Sequence, residues 1–145
     1  MIRLRPWLPL LSVATQLALV WLGAAWIESS DLRQQPGPWG YVFVTFFLTF
    51  MYASWPVLVT LGTAVAGTVS RSPGIRSGTT ATGAVVAALV GLAGMGLGVA
   101  IGLGAQAEAD TAFALVLGVA GVVPVVVAVL ILRGLSTPAE NVPVA

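Results

Sequence analysis

Ala87–Ala105, AALVGLAGMGLGVAIGLGA, is the stretch of sequence that decides the fold. Six of its nineteen residues are glycine, and none carries a charge, a hydroxyl group or an aromatic ring. Glycine-rich runs occur in phosphate-binding loops, in flexible linkers and in helices that pack closely inside membranes. The residues between these glycines are Leu, Val, Ile, Ala and Met rather than Ser, which excludes a flexible linker.

A nucleotide-binding loop requires a different sequence context. Residues 102–107 fit the relaxed dinucleotide fingerprint GxGxxA, which needs a strand before it and a helix that starts at its glycines. Here the glycines end an apolar segment and are followed by Glu108 and Asp110, whose carboxylates would repel a pyrophosphate. A P-loop needs a lysine, and the chain has none. We therefore interpret these glycines as sites of close helix packing.

The composition of the whole chain indicates a membrane protein. Of its 145 residues, 58% are apolar and only 8% are charged, whereas a soluble domain carries about 25% charged residues. The mean hydropathy of +1.01 agrees with this interpretation. Because so few charges cannot cover the surface with polar groups, we predict that most of the surface faces lipid.

Four apolar runs are long enough to cross a bilayer, which takes about 20 residues of helix. They comprise residues 7–27, 41–69, 81–105 and 112–132. The polar breaks between them are too short for a soluble domain. We therefore predict an all-α integral membrane protein with one four-helix domain over residues 1–145, built from two antiparallel hairpins. We expect the first run to be a span, because it is longer than the apolar region of a usual signal peptide.

The arginines predict the orientation of these spans. If four helices alternate, five of the six arginines fall on one side, and only Arg33 falls on the other, beside Glu28, Asp31, Glu108 and Asp110. Because arginine is enriched in cytoplasmic loops, we expect both termini to be cytoplasmic. A chain rich in Ala, Gly, Val and Arg, without lysine, is typical of a GC-rich genome. We therefore predict a multi-pass protein of the bacterial cytoplasmic membrane.

Small residues recur along one face of the third span. Gly94, Gly98 and Gly102 form two overlapping GxxxG motifs, and inside lipid such close backbone approach supplies the attraction between helices. The fourth span offers a matching face, so we expect spans three and four to form a tight antiparallel hairpin. The predicted helix-packing residues are Gly83, Ala87, Gly91, Gly94, Gly98, Gly102, Gly118 and Gly121.

One amide and two prolines lie within the other spans. Gln16 is near the centre of span one, where an amide needs a partner. We interpret it as a contact between helices, with a substrate contact in a pore as the alternative. Pro56 and Pro124 lie near the middle of spans two and four, and each removes a backbone donor, so both are candidate hinges.

The residues that usually carry chemistry are absent or peripheral. The chain lacks Cys and His, so we predict no catalytic, cofactor-binding or metal-binding residues, no cofactor and no enzyme activity. No Asp, Glu, Lys, Arg or His lies inside a predicted span, which argues against a proton-coupled exporter. Glu108 and Asp110 could hold a cation, but a cap on the fourth helix better explains Asp110. Without a basic patch we expect no nucleic-acid partner.

Two hypotheses for the function follow from this lack of chemistry. All five tryptophans, both tyrosines and four of the five phenylalanines precede Val57, so spans three and four are slender and suit burial among other helices. The first hypothesis is a non-catalytic accessory or assembly subunit of a larger bacterial membrane complex, with membrane lipids and other membrane subunits as partners. The alternative is a small homo-oligomeric channel or carrier without intramembrane charges.

Overall fold

The chain folds into a bundle of helices. The computed structural model describes residues 5–29, 40–106 and 108–136. Of these residues 95% are helical and none lies in a strand. In chain order the elements are a 3-10 turn at Arg5–Trp7, α1 at Leu8–Ser29, α2 at Tyr41–Leu48, a π-helical segment at Thr49–Ala53, α3 at Ser54–Val69, α4 at Pro73–Gly104 and α5 at Glu108–Ser136.

The prediction of an all-helical chain with apolar spans is confirmed for the described residues. Among them, three helices are long and apolar enough to cross a membrane, namely Arg5–Ser29, Pro73–Gly104 and Glu108–Leu135. The predicted span 41–69 is helical from end to end, but the π segment divides it into two shorter α-helices. Its longer piece, α3, is an apolar helix of only 16 residues.

Helix α4 begins at Pro73 and not at residue 81 as the apolar pattern predicts. Proline suits the first turn of a helix, where no backbone donor is needed. The threonines that follow bond their hydroxyl groups to carbonyls four residues back. Their distances are 3.0 Å for Thr79, 2.8 Å for Thr80 and 2.9 Å for Thr82. A stretch that reads as a polar connection is therefore the first two turns of α4.

Helix α5 is also longer than predicted, since it begins at Glu108 rather than residue 112 and ends at Ser136 rather than 132. Glu108 and Asp110 lie in its first turn and Arg133 in its last turn. Both placements match the charge preference of the helix dipole. The prediction that Asp110 caps this helix is wrong, because the residue lies inside the first turn.

The helices pack unequally against one another. Helix α4 makes its most extensive contact with α5, and α1 lies against both α5 and α4. Helix α3 packs on α4 and on the 3-10 turn. A buried cluster joins α1 to α5, and its members are Val20, Ala24, Ile27, Ala109, Phe113, Leu117 and Ala120. Across the described part of the bundle, alanine accounts for nine of the fourteen buried hydrophobic residues.

The two ends of the bundle carry different charges. At one end, the hydroxyl of Tyr41 donates to the carboxylate of Asp110, and the backbone N–H of Val42 donates to Glu28 at 3.4 Å. At the other end, Arg5 and Gly134 line a groove of about 270 Å³. The start of α1 and the end of α5 are therefore neighbours, and the end of α1, the start of α2 and the start of α5 meet at the opposite end.

Candidate functional site

A cavity of about 580 Å³ lies between α1, the α2–α3 segment and α4, and Leu117 of α5 also lines it. Most of its wall is Leu, Val, Ala and Pro. Among the described side chains that line it, three are polar, those of Gln16, Thr45 and Thr49, and none is charged.

Gln16 projects from α1 and is only 5% exposed. Its Nε2 donates to the backbone carbonyl of Val90 on α4 at 3.4 Å, which fixes the orientation of the amide. The opposite atom, Oε1, is buried and accepts no hydrogen bond. The predicted contact between helices is thus made by one half of the amide, while the other half is unpaired.

Thr45 lies on α2 and is only 1% exposed. Its hydroxyl is buried and has no hydrogen-bond partner. The comparison with neighbouring threonines makes this unusual. The hydroxyl groups of Thr49, Thr60 and Thr68 each donate to the carbonyl four residues back, at 2.7, 2.8 and 2.8 Å. A buried polar atom without a partner costs free energy. Gln16 Oε1 on α1 and the hydroxyl oxygen of Thr45 on α2 are two such atoms, and each has less than 1 Å² of accessible surface, so neither is open to the cavity.

The π-helical segment forms part of the same wall. The backbone N–H of Ser54 donates to the carbonyl of Thr49, five residues back instead of four. Three residues after the segment, Pro56 lacks an N–H and cannot donate to the carbonyl four residues before it. The wider turn accommodates that break. π-helical turns inside α-helices often mark functional sites, and Thr49, Ala53 and Pro56 all line the cavity.

A hydrogen bond fixes the π segment to α1. The indole Nε1 of Trp21 donates to the hydroxyl of Thr49 at 3.1 Å. That hydroxyl in turn donates to the carbonyl of Thr45. Trp21 also meets Phe46 edge to face, with ring centroids 6.4 Å apart. Thr49 is therefore fully engaged, in contrast to Thr45 one turn earlier.

Three of the predicted packing glycines lie at backbone contacts between α4 and α5. A methyl group on Gly98 would lie 2.7 Å from the carbonyl oxygen of Ala114. Methyl groups on Gly91 and Gly121 would each lie 2.5 Å from the carbonyl oxygen of the other residue. Pro124 packs beside this contact and is fully buried within the unbroken helix α5. No larger residue fits at these three glycines without moving a helix backbone.

The other small residues of the predicted set have different neighbours. A methyl group on Gly83 would meet Thr63 of α3 and Pro9 of α1, whereas one on Gly102 would lie at an ordinary 3.6 Å from Ala114. No described atom lies within 4 Å of a methyl group built on Gly118, and Ala87 is completely buried. The predicted packing residues therefore do not all face the same neighbouring helix.

Gly94 has a particular relation to the cavity. A methyl group there would lie 2.6 Å from Nε2 of Gln16, and the nearest backbone atom is 3.7 Å away. The absence of a side chain thus makes room for the amide of Gln16 rather than for a neighbouring backbone. The sequence singles out Gln16 and Gly94 separately, but it does not predict that they are in contact.

Two of the three described carboxylates, those of Glu28 and Asp110, hold helix ends together. Glu28 and Asp110 accept hydrogen bonds from Val42 and Tyr41, as described above. Within residues 5–29, 40–106 and 108–136 there is no group of three or more His, Cys, Asp or Glu side chains that could hold a metal ion. Asp31, Arg33 and Glu140 lie outside the described residues.

Comparison with known proteins returned no matching family, no matching curated protein and no matching solved structure.

Proposed function

We propose that this chain is a non-catalytic accessory or assembly subunit of a larger bacterial membrane complex. It crosses the cytoplasmic membrane four times with both termini in the cytoplasm. It contacts another membrane subunit through the outward face of α4. The observation that carries this proposal is a row of small residues on that face, Gly96, Ala100 and Gly104, called here the Gly96 row.

The Gly96 row packs against no other part of the chain that the structure describes. Its three residues are exposed and lie at intervals of four on α4. No described atom lies within 4 Å of a methyl group built on Gly96 or Gly104. Glycine in a helix is less favourable than alanine by about 1 kcal/mol, and nothing inside the bundle compensates this cost. Contact with a helix of another chain would compensate this cost, because small residues at this spacing allow two backbones to approach closely in lipid.

The four-span topology is supported by the length and charge of the segments. The helical stretch 41–69 has a rise of about 1.5 Å per residue, so it reaches about 43 Å, against about 30 Å of bilayer core. The groove lined by Arg5 and Gly134 supports placing the basic helix ends on one side. Basic ends favour the cytoplasmic side.

The non-catalytic part of the proposal is supported by the environment of the carboxylates. Glu28 and Asp110 are engaged with the first two residues of α2, where they connect three helix ends. No histidine, cysteine or lysine is present in the sequence to act as a base or nucleophile beside them.

Purification in mild detergent tests the role of the Gly96 row. A tagged chain carrying Gly96→Leu should fold, because the position faces open space, but it should no longer co-purify with its partner subunits. The matched control is Val119→Leu, which adds bulk to the outward face of α5, where Val119 is exposed. Co-purification of the same subunits with both variants would contradict the proposal.

The same experiment addresses the alternative of a small homo-oligomeric channel or carrier. If the wild-type chain elutes as a symmetric assembly of itself alone, and Gly96→Leu converts that assembly to single chains, the row mediates self-association. The accessory-subunit role would then be replaced by the homo-oligomer.

A further inference from the structure

We propose that the groove between the start of α1, the N-terminal part of α4 and the end of α5 binds one anionic phospholipid, with the lipid phosphate at Arg5 and an acyl chain along α5. This groove, called here the Arg5 groove, is the one of about 270 Å³ that Arg5 and Gly134 line. Its depth, its shape and the charge of this end of the bundle carry the proposal. The proposal does not depend on the Gly96 row or on the identity of any partner subunit.

The Arg5 groove starts at the depth of the lipid headgroups. Arg5 is the first residue of the candidate membrane span Arg5–Ser29, and Leu135 is the last residue of the candidate span Glu108–Leu135. Both residues line the groove. The ends of a span lie at the boundary between the apolar core of the bilayer and its headgroups. Arg5 is exposed, so its guanidinium is accessible at the level where lipid phosphates lie.

From Arg5 the groove continues along α5 towards the interior of the membrane. The described lining on this helix extends from Leu135 back to Val127, a distance of about 12 Å at 1.5 Å per residue. Five of the eight described lining residues are aliphatic, and Arg5 is the only charged one. Leu130, one of the five, is 64% exposed, so the groove opens on the surface that lipid covers. One charged end followed by an aliphatic channel matches the polarity of a phospholipid.

The charges of the described residues are separated between the two ends of the bundle. Pro6 lies beside Gly67 near the end of α3, since a methyl group on Gly67 would be 3.0 Å from the Cβ of Pro6. The connection from α3 to α4 is therefore next to the start of α1. The described arginines are in the 3-10 turn, in or beside that connection and in the last turn of α5, at Arg5, Arg71, Arg76 and Arg133. The described carboxylates are at the opposite end, near the end of α1 and in the first turn of α5, at Glu28, Glu108 and Asp110.

A lipid phosphate at Arg5 supplies a negative charge that no described side chain supplies at this end. A guanidinium binds phosphate through paired, charge-assisted hydrogen bonds, and basic pockets between membrane helices bind anionic headgroups. The guanidinium of Arg76 is already engaged, because it donates to the carbonyl of Ser70 at 2.9 Å. A zwitterionic lipid also carries a phosphate, but its ammonium group would lie among arginines and be repelled by them. The groove therefore suits an anionic lipid better than a zwitterionic one.

Native mass spectrometry of the purified full chain in detergent tests the proposal. The probes are dioleoyl phosphatidylglycerol and dioleoyl phosphatidylcholine, which have the same acyl chains and differ in headgroup charge. Each lipid is titrated separately into delipidated protein, and the Kd of the first bound lipid is measured. We expect saturable binding, with phosphatidylglycerol about tenfold tighter than phosphatidylcholine, because only its headgroup combines a phosphate with no positive charge.

One pair of variants tests the headgroup position. Arg5→Gln should remove the preference for phosphatidylglycerol, because it replaces the guanidinium in the groove with a neutral amide. Arg71→Gln removes the same charge from the same end of the bundle, but Arg71 does not line the groove, so this control should keep the preference. Helical content measured by circular dichroism shows that both variants are folded.

A second pair tests the position of the acyl chain. Gly134→Leu should weaken both lipids, because its side chain occupies part of the groove. No described atom lies within 4 Å of a methyl group built on Gly134, so the variant should fold. The matched control is Gly62→Leu, which makes the same change on α3, where no described atom is near either. Gly62 does not line the groove, and its variant should bind both lipids like the wild type.

Several results would overturn the proposal. Equal affinity of the wild-type chain for the two lipids would mean that the groove does not select an anionic headgroup. Equal loss of preference in Arg5→Gln and Arg71→Gln would mean that net charge, and not the groove, attracts the lipid. Wild-type affinities in either Arg5→Gln or Gly134→Leu would place the lipid elsewhere. If no lipid binds saturably, protein covers the groove instead, from a second copy or from a partner subunit.

Discussion

The α4–α5 hairpin and the α1–α3 half of the molecule pack their apolar helices in opposite ways. Both halves are apolar and have almost no charge within their helices. In the hairpin, glycines bring two backbones into direct contact, as at Gly91 and Gly121. In the other half, a π turn, a proline and three polar side chains border an open cavity. Close packing and cavity formation therefore occur side by side in one small bundle.

The placement of the large side chains explains this difference. The four phenylalanines and the tryptophan of the α2–α3 segment point outward, with Phe50 65% and Trp55 72% exposed. The buried residues of the same segment are small or polar, namely Thr45, Ala53, Thr60, Ala64 and Gly67. Because its large residues cover the outer surface, this segment leaves space beside α1. The hairpin contains a single aromatic residue, Phe113, and its two helices close directly on their glycines.

The largest effect should come from filling the hairpin contact. Gly98→Leu would place Cβ 2.7 Å from the carbonyl of Ala114 and 3.1 Å from the nitrogen of Gly118, both backbone atoms. Neither can move without separating the helices, so we expect loss of most of the folded protein. Yield of monodisperse protein in detergent measures this. Val99→Leu, one residue away and 63% exposed, should give wild-type yield, and equal yields from both variants would contradict close packing of the hairpin.

A smaller effect on stability should distinguish Gly91 from Gly102, two of the predicted packing glycines. Gly91→Ala would put its methyl group 2.5 Å from a backbone carbonyl oxygen, whereas Gly102→Ala would put it 3.6 Å from the side chain of Ala114. Overpacking costs about 1–3 kcal/mol, so Gly91→Ala should lower the Tm. Gly102→Ala should leave it unchanged or slightly raised, since alanine favours the helix. Thermal unfolding followed by circular dichroism measures both, and a larger loss at Gly102 would contradict the observed register of α4 and α5.

The sequence predicts where the helices lie more readily than it predicts which helices are in contact. Apolar length predicts the helical stretches, and the GxxxG spacing of Gly94, Gly98 and Gly102 singles out small residues. It does not reveal which helix each glycine meets. Gly98 meets the backbone of α5, whereas Gly94 meets the amide of Gln16. That distinction depends on how α4 is rotated relative to α1 and α5. The spacing of residues within α4 does not predict this rotation.

The residues that line the cavity are likewise predicted only in part from the sequence. Gln16 attracts attention from sequence alone, because an amide in lipid needs a partner. Thr45 does not, since a threonine in a helix usually bonds to its own backbone, as Thr49 and Thr60 do. The signal available in the sequence is Pro56, which disturbs the helix before it. The π turn and the start of α4 at Pro73 depend on backbone hydrogen bonding that the apolar pattern does not encode.

The smallest effect should come from substituting two buried threonines of the α2–α3 segment, Thr45 and Thr60. Thr60 and Thr45 are both almost completely buried, but only Thr60 has a bonded hydroxyl, at 2.8 Å from the carbonyl of Pro56. Thr60→Val therefore loses a hydrogen bond and should lower the free energy of unfolding by about 0.5–1 kcal/mol. Thr45→Val loses none and removes an unpaired buried hydroxyl. In delipidated protein it should be as stable as the wild type or more stable by up to about 1 kcal/mol.

Thermal unfolding of the two valine variants in ligand-free detergent makes the comparison directly, because both remove the same hydroxyl from a helix of the same segment. The Tm of Thr45→Val should exceed that of Thr60→Val. If Thr45→Val instead unfolds at the lower temperature, its hydroxyl has a partner in the empty protein, such as an ordered water. The α1–α3 half would then be internally satisfied like the hairpin, and the contrast between the two halves would reduce to one of packing density.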